Sequence, residues 1–287
     1  MLIRREADMM LAGAVSCADP LFVHEGFSIF TAYPEPGKSQ APLDKKSGGM
    51  VSAEGAGIFV LKRLDDALRD GDTVHAVINS VGLSNDGKGK YLLSPLSAGQ
   101  LRAFERAFDA TEINKNNIDY IECHATGTAL GDQTEIDSIA TYFHGNVPKL
   151  GTVKTNIGHM LTASGIPSII KVIESFKNNL IPASLRVTEP VSSMNNDYDG
   201  NQITTKKEQW KSKDKRYAAI NAFGFGGTNA HMILEDNVKV DARAINQKIK
   251  SDFVHVLGMD AHFGKCSDLQ QFNALVCGEG TNEIPLP

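Results

Sequence analysis

The sequence predicts an α/β fold. Segments with the length and apolar character of buried strands alternate with segments of helical periodicity along most of the 287 residues. Hydrophobic residues make up 41% of the chain, which is enough to bury a core in one large domain or two modest ones. Glycine and proline separate the segments and mark the turns between them.

The first predicted strand is ADMMLAGAV, and the Pro-, Gly- and Ser-rich residues 19–49 after it are expected to be mostly loop. The strand-like GMVSAEGAGIFVLKRL contains three small residues at 55–57, which let another backbone or a ligand come close. LDDALRD is predicted to be a short helix closed by Gly71, and VHAVINSVGL to be the next strand. A helix is predicted for about 98–110.

In the second half, the strand IDYIEC delivers His124 to its end. Asp132 is predicted to cap the following helix, with Glu135 as its capping-box partner. The segment IPSIIKVIESF predicts a helix with one apolar face, formed by Ile166, Ile169, Ile170, Ile173 and Phe176. YAAINAF and AHMILED are predicted to be two strands joined by GFGGTN.

Two histidines are candidates for chemistry. His124 lies at a strand end, where sites are built in α/β folds, and Thr126 and Thr128 follow it. His159 precedes the apolar helix, whose N-terminus favours a neutral imidazole that can donate a hydrogen bond to an enolate or oxyanion. Taken singly, His124 also fits a histidine bonded to loop carbonyls, and His159 fits a capping role. Lys154 is placed either to order a carboxylate such as Glu135 or to be solvated.

The glycine-rich GFGGTN does not fit a dinucleotide site, because Asn229 occupies the third glycine position and a strand follows. We interpret it as a turn whose backbone N–H groups point into a pocket. Its members are Gly224, Phe225, Gly226, Gly227 and Thr228.

Several classes of function are disfavoured. The net charge of −5 is spread along the chain, so we expect no nucleic-acid partner, and no apolar run of about 18 residues predicts a membrane span. No His/Cys cluster has zinc spacing, and no phosphate-binding loop is present, so neither a metal nor another cofactor is expected. The four scattered cysteines indicate a reduced, cytoplasmic setting.

The motifs ECHATGT, GDQTE, VKTNIGHMLTASG and AFGFGGTNAH, in this order, resemble the β-ketoacyl synthases of fatty acid and polyketide synthesis. ADMMLAGAVSCADP and GMVSAEGAGIFVLKRL extend the resemblance over about Glu6–Asp236. GFSIFTAYP, LSNDGKGKYLLSP and IECHATGTALGD are most similar to ketosynthases of bacterial polyunsaturated fatty acid and polyketide synthases. The resemblance implies a thiolase-like layered αβαβα fold in which the front of the first half is missing.

The resemblance also implies a reaction, the decarboxylative Claisen condensation of acyl and malonyl thioesters held on an acyl carrier protein, and a ketosynthase-type dimer partner. By motif match, His124 and His159 decarboxylate the malonyl group and hold the enolate oxygen, and Lys154 supports them. Phe225 supplies an oxyanion-hole N–H and a gating ring. Thr126 and Thr128 meet the phosphopantetheine arm of the carrier.

The resemblance implies a cysteine nucleophile upstream of ADMMLAGAV, before this chain begins, and none of Cys17, Cys123, Cys266 and Cys277 replaces it convincingly. The tail FVHVLGMDAHFGKCSDLQQFNALVCGEG resembles the opening of another ketosynthase-like domain, although it also fits an ordinary C-terminal strand and helix. The expected organisation is the end of a ketosynthase N-terminal half at 1–73, its C-terminal half at 74–236, a linker at 237–250 and the start of a chain-length-factor-like domain at 251–287.

Three hypotheses follow. The chain is a condensing-enzyme part without a complete site, one chain of a split ketosynthase whose partner supplies the cysteine, or a non-catalytic partner that shapes the pocket. The two retained histidines disfavour the third hypothesis. We also expect poor stability, because strands near Ala7–Val15 and Met50–Leu61 would have unpaired edges.

Overall fold

The computed structural model describes residues 1–17, 21–88, 94–195, 197–211, 215–236, 254–263 and 266–277. These residues form ten strands and seven α-helices, and their alternation confirms the α/β class. The strands are β1 (Met9–Ser16), β2 (Gly55–Arg63), β3 (Ala76–Asn85), β4 (Tyr120–Glu122), β5 (Lys149–Gly151), β6 (Leu180–Ile181), β7 (Glu208–Gln209), β8 (Tyr217–Gly224), β9 (Thr228–Asp236) and β10 (Val254–Phe263). The helices are α1 (Leu21–Ile29), α2 (Leu64–Asp70), α3 (Ser97–Asp109), α4 (Ala129–Phe143), α5 (Lys154–Ile157), α6 (Gly165–Asn178) and α7 (Leu269–Cys277).

Eight strands form one sheet in the order β1-β2-β10-β3-β9-β8-β4-β5. Strand β4 is parallel to its two neighbours, β8 and β5, whereas the other pairs in the sheet are antiparallel. Strands β8 and β9 form the predicted hairpin around the glycine-rich turn. The predicted strands ADMMLAGAV, VHAVINSVGL and IDYIEC are confirmed as β1, β3 and β4.

The C-terminal strand β10 lies inside this sheet, between β2 and β3. Strand β2 is paired on both sides, since Gly57 lies opposite Ala14 of β1 and opposite Ala261 of β10. Strand β2 therefore has two neighbours, contrary to the expectation of an unpaired edge, and β1 lies at the edge of the sheet. The predicted linker at 237–250 lies outside the described residues.

Helices cover both faces of the sheet. On one face, α6 and α7 pack over β2, β8 and β9, and the predicted apolar stripe of α6 is buried there except for the half-buried Ile169. On the other face, α3 and α4 pack over β4, β8 and β9 around Phe104 and Phe143. No helix in the described part of the chain is both long and apolar enough to cross a membrane.

One local prediction was wrong, and one helix was missed. The stretch 19–49 is mostly loop, as predicted, but it also contains the short helix α1, none of whose side chains is fully buried. Helix α4 begins at Ala129, with Thr128 as its N-cap, so Asp132 is not the capping residue. The backbone N–H of Asp132 already donates to the Thr128 carbonyl at 2.9 Å, which places Asp132 and Glu135 inside the helix.

Candidate active site

The side chain of Glu135 on α4 holds the backbone of His124 in the loop after β4. The two carboxylate oxygens accept hydrogen bonds from the backbone N–H groups of His124 at 2.8 Å and Ala125 at 2.7 Å. Ala125 has a φ of 28°, which non-glycine residues rarely adopt, so these bonds hold a strained turn. A buried carboxylate from α4 thus fixes the direction in which His124 leaves the sheet.

His159 is held by the extended segment 51–53. Its N–H donates to the Val51 carbonyl at 2.7 Å, and its carbonyl accepts from the Ala53 N–H at 2.9 Å. Gly158 has a φ of 83°, and a Cβ there would lie 2.9 Å from the Val51 oxygen, so only glycine fits without a shift. The ring Nδ1 of His159 accepts from the Leu161 N–H at 3.2 Å. In a neutral ring the proton therefore sits on Nε2, which is a donor.

The rings of the two predicted histidines, His124 and His159, are in contact. Their ring centroids lie 5.4 Å apart with planes at 86°, and the ring of Phe223 packs 5.8 Å from that of His124. His159 is buried and His124 is half-buried. The residues between them form α4, β5 and α5, so the chain makes a long excursion to bring the two rings together. Rings at this separation can both contact one oxygen atom of a bound molecule.

Burial and a neighbouring cation keep both rings neutral. Burial lowers the pKa of His159 to about 3, with the Lys154 ammonium adding to this effect. Burial lowers the pKa of His124 well below its ordinary value, and Lys154 and His159 lower it further. The helix N-terminus that the sequence suggested is not the cause of either shift, because α6 begins only at Gly165. Neutral imidazoles can donate a hydrogen bond to an oxygen that gains negative charge.

Lys154 is itself buried among carboxylates. Burial lowers its pKa, whereas the negative charges of Glu122, Glu135 and Asp132 oppose that shift. Of the two alternatives for Lys154, its burial excludes the solvated one, and its association with Glu135 is electrostatic. Asp132 accepts the backbone N–H groups of Leu43 at 2.8 Å and Gly127 at 3.0 Å. The acidic residues that the sequence assigned to helix capping therefore hold the loops of this site.

The histidine burial predicts a pH-dependent stability. Between a folded pKa of about 3 and the ordinary value of 6.5, the unfolded chain binds a proton at His159 that the folded chain does not. The contribution of the neutral His159 ring to the free energy of unfolding is therefore present in full above pH 6.5. It is lost, by up to about 1.4 kcal/mol per pH unit, as the pH falls. The raised pKa of Asp132, about 7, acts in the opposite direction, so variants must be compared at each pH.

We expect His159→Asn to remove this pH-dependent contribution to the free energy of unfolding. Urea unfolding between about pH 4 and 7 should give a shallower loss of stability toward acid for His159→Asn than for the wild type. His144→Asn, at an exposed histidine, is the matched control and should follow the wild-type slope. Parallel curves for all three proteins would contradict a buried neutral His159.

The glycine-rich turn lies beside the histidines. It follows Phe223, whose ring contacts His124, and the N–H of Gly227 donates to the Gly224 carbonyl at 3.2 Å. Gly226 and Gly227 have φ values of 81° and 78°, and a Cβ on Gly227 would lie 2.7 Å from that of Asp86. Thr228 begins β9 directly after the turn. Phe225 is 56% exposed at the tip of the turn.

The Phe225 ring packs at 5.4 Å against that of Phe27 on α1, a helix that sequence reasoning missed. The predicted substrate-binding hydroxyls of Thr126 and Thr128 lie 2.9 Å from each other, in the loop that carries His124. The predicted site residues therefore lie on two neighbouring loops. The glycine-rich turn follows β8, and the loop with His124 follows β4, the strand beside β8. In the described part of the chain, no cluster of His, Cys, Asp and Glu has the arrangement of a metal site.

Three of the four cysteines are poorly suited to nucleophilic chemistry, because they are buried. Cys123 and Cys266 are buried, and burial raises the pKa of both thiols, that of Cys123 strongly. Cys277 is also buried, and Cys17 is exposed at the end of β1. A thiolate is the reactive form, and a raised pKa disfavours it at neutral pH.

Sequence reasoning also missed the buried ion pair of Glu122 and Lys171 behind the site. The Nζ of Lys171 lies 2.8 Å from Oε2 of Glu122, and neither side chain is exposed. The other oxygen of Glu122 accepts the Val153 N–H at 2.6 Å, directly before Lys154. The sequence did carry one sign of this pair, namely an ionisable residue in an apolar strand and another in an apolar helix. Ionisable residues are rarely buried in such elements unless they are paired.

Comparison with known proteins identifies the class. The model of the beta-ketoacyl synthase N-terminal domain matches residues 1–67, that of the C-terminal domain matches 75–188, and that of the ketoacyl-synthetase C-terminal extension matches 178–263. The chain belongs to the β-ketoacyl synthase family. Within that family, it is most like the ketosynthases of polyunsaturated fatty acid and polyketide synthases.

One relative, a polyunsaturated fatty acid synthase polypeptide of Thraustochytrium, is 35% identical over all of this chain, which spans 14% of that protein. A solved structure of the PfaC keto synthase-chain length factor is 43% identical, with a TM-score of 0.81, and the match covers 97% of this chain and 30% of that one. A ketosynthase from module 6 of the bacillaene synthase of Bacillus subtilis is 30% identical, with a TM-score of 0.76, over 83% of this chain and 44% of that one. These structures confirm the thiolase-like fold.

Proposed function

We propose that the chain is the part of a β-ketoacyl synthase that decarboxylates the malonyl extender. The overall reaction is an acyltransferase reaction, the decarboxylative Claisen condensation of acyl and malonyl carrier-protein thioesters in fatty acid or polyketide biosynthesis. The observation that carries the proposal is the meeting of two neutral histidine rings, 5.4 Å apart, beside buried Lys154. The chain contributes this histidine site, and the nucleophilic cysteine comes from elsewhere.

The chemistry follows from the proton on the His159 ring. Nε2–H of His159 donates to the thioester oxygen of the malonyl group, and the ring of His124 donates to the same oxygen from its own side. The bond between the methylene carbon and the carboxylate breaks, CO2 leaves, and the electron pair forms an enolate whose oxygen the two donors stabilise. Without an acyl acceptor, the enolate carbon takes a proton from water, so malonyl thioester becomes acetyl thioester and CO2.

The neighbouring residues have supporting roles in this proposal. Burial keeps the imidazoles neutral, and the positive charge of Lys154 adds to this effect and stabilises the developing enolate. Phe225 gates the acyl pocket and offers its backbone N–H to the oxyanion, on a turn formed by Gly224, Gly226, Gly227 and Thr228. Thr126 and Thr128 bind the phosphopantetheine arm of an acyl carrier protein. A ketosynthase-type dimer partner completes the assembly.

A second candidate is a non-catalytic, chain-length-factor-like partner, which is favoured by the similarity to the keto synthase-chain length factor. Such a non-catalytic partner does not require the histidine pair or the carboxylates that hold it. A third arrangement, in which a separate chain supplies the cysteine, uses the same histidine site as the first.

Release of labelled CO2 from malonyl carrier protein tests the proposal. The full chain is expected to release CO2 slowly, and His124→Ala and His159→Ala are each expected to reduce the rate by about 10²–10³-fold, as the loss of one oxyanion donor does. Acetyl carrier protein should accumulate in equal amount to the CO2 released.

His144→Ala is the matched control, since this histidine is exposed at the end of α4. It should retain the wild-type rate. No CO2 release by the folded wild-type chain, or release that is unaffected in both active-site variants, would refute the decarboxylase function and favour the non-catalytic partner.

A further inference from the structure

A third buried histidine is connected to the site by hydrogen bonds. His231 on β9 lies directly opposite Asn221 on β8, and its Nδ1 is 2.6 Å from the Asn221 Oδ1. The Nδ2 of Asn221 donates to Oε1 of Glu135 at 2.8 Å. Glu135 in turn accepts the backbone N–H of His124. His231, Asn221 and Glu135 are at most 2% exposed.

The chemistry of the groups fixes every proton in this chain of bonds. Glu135 accepts hydrogen bonds from two backbone N–H groups and from Asn221, so its ionised form, which only accepts, fits these contacts. The amide of Asn221 must then present its NH2 to Glu135 and its oxygen to His231. His231 therefore carries its proton on Nδ1, and its Nε2 meets no hydrogen-bond partner among the described residues.

The aromatic surroundings keep His231 in this state. Its ring centroid lies 4.5 Å from that of Phe104 and 5.8 Å from that of Phe108, both on α3. Burial lowers the pKa of His231 to about 3, so the ring remains neutral at physiological pH. A neutral ring with a fixed tautomer is a rigid donor that orients the Asn221 amide.

We propose that His231 and Asn221 are positioning residues that set the direction of the His124 ring through Glu135. Glu135 uses both oxygens to hold the turn in which Ala125 has a φ of 28°, and Asn221 holds one of those oxygens in place. If Glu135 moves, the turn relaxes and His124 leaves the geometry in which it meets His159. The effect on catalysis rests on the proposed decarboxylase function.

Two substitutions of His231 test the proposal, because they differ only in where a side-chain donor sits. The amide nitrogen of His231→Asn lies near the position of Nδ1 and can donate to Asn221, whereas that of His231→Gln lies near the position of Nε2, which has no hydrogen-bond partner among the described residues. We expect His231→Asn to decarboxylate malonyl carrier protein within about 3-fold of the wild-type kcat, and His231→Gln to lose about 10- to 100-fold with KM unchanged. Equal rates in the two variants would overturn the proposal.

A second readout is independent of activity. In full-length protein labelled with 13C at histidine Cε1, the His124 signal is assigned by its absence in His124→Ala. It should keep its wild-type position in His231→Asn and shift in His231→Gln. If the wild type does not decarboxylate, the proposed function fails and this spectrum still decides the positioning role. A His124 signal that is the same in both variants and the wild type would refute it.

Asn221→Asp covers the case in which His231→Gln does not fold. When the carboxyl group that this variant introduces is protonated, it can donate to Glu135 as the amide does, whereas its ionised form repels Glu135. The kcat of Asn221→Asp should therefore fall as pH rises through the pKa of the new carboxyl pair, over a range in which the wild-type kcat is level. A variant profile parallel to that of the wild type would contradict the role of Asn221.

Discussion

Lys171→Met is expected to destabilise the fold by about 3–5 kcal/mol, because it leaves the buried Glu122 carboxylate without its cation. Neither side chain of this ion pair is exposed, and Lys171 Nζ lies 2.8 Å from both Glu122 Oε2 and the Tyr120 hydroxyl. The Tyr120 hydroxyl also donates to Glu122 at 2.6 Å. Solvent does not reach the carboxylate at this depth, so water cannot replace the lost ion-pair partner, and the charge of Lys154 offsets that loss only in part. Urea denaturation at about pH 7, followed by circular dichroism, measures the change.

The matched control is Lys46→Met, which removes an ion pair with Glu189 whose two side chains are 66% and 52% exposed. Water replaces the partner at such a site, so we expect no measurable change in the urea midpoint. Lys171→Met/Glu122→Gln should recover part of the loss, because it removes the orphaned charge and keeps an acceptor for the Val153 N–H. Equal midpoints for Lys171→Met and Lys46→Met would contradict the buried pair.

The sequence predicted the strands and helices that carry their own periodicity. β1, β3 and β9 have apolar runs bounded by glycine or polar residues, and α6 has an apolar face of helical period, so local pattern sufficed. Helix α1 was not predicted, and none of its side chains is fully buried. The place of β10 between β2 and β3 depends on pairing with strands from far earlier in the chain, which no local pattern reveals.

The histidine pair was predictable, whereas its supports were not. His124 and His159 lie in motifs of small and turn-forming residues, and the motifs together identify the family. Asp132 and Glu135 have the i, i+3 spacing of a capping box, and that local explanation was wrong because their oxygens bond to loops elsewhere. The sequence contains no mark that distinguishes a carboxylate used for its own helix from one used for a neighbouring loop.

The same limit applies to His231. Asn221 and His231 lie on two separate predicted strands, and only the register of the β8–β9 hairpin places them opposite each other. A hairpin register follows from its turn, and here the two positive-φ glycines of the turn fix it. Once that register is known, the path from His231 to Glu135 follows from hydrogen-bond chemistry alone.

The chain by itself is expected to form no carbon–carbon bond from acyl and malonyl carrier substrates. Condensation requires a thiolate that holds the acyl chain until the enolate attacks it, and loss of an activated nucleophile costs on the order of 10⁶-fold in enzymes that depend on one. Cys123, Cys266 and Cys277 are buried, and burial raises the pKa of the Cys123 and Cys266 thiols, which disfavours their thiolates. Cys17 lies exposed directly after β1, whereas the resemblance places the family's nucleophile before β1.

Incubation with radiolabelled acyl thioester and malonyl carrier protein, followed by mass mapping of peptides, measures both outcomes at once. We expect acetyl carrier protein, no β-ketoacyl product and no stable acylation of the chain. Cys17→Ala and Cys123→Ala should release CO2 at the wild-type rate, since the histidine site works without them, whereas His124→Ala should not. Acylation of one cysteine, together with a β-ketoacyl product that disappears when that cysteine is replaced, would show that the nucleophile lies within this chain.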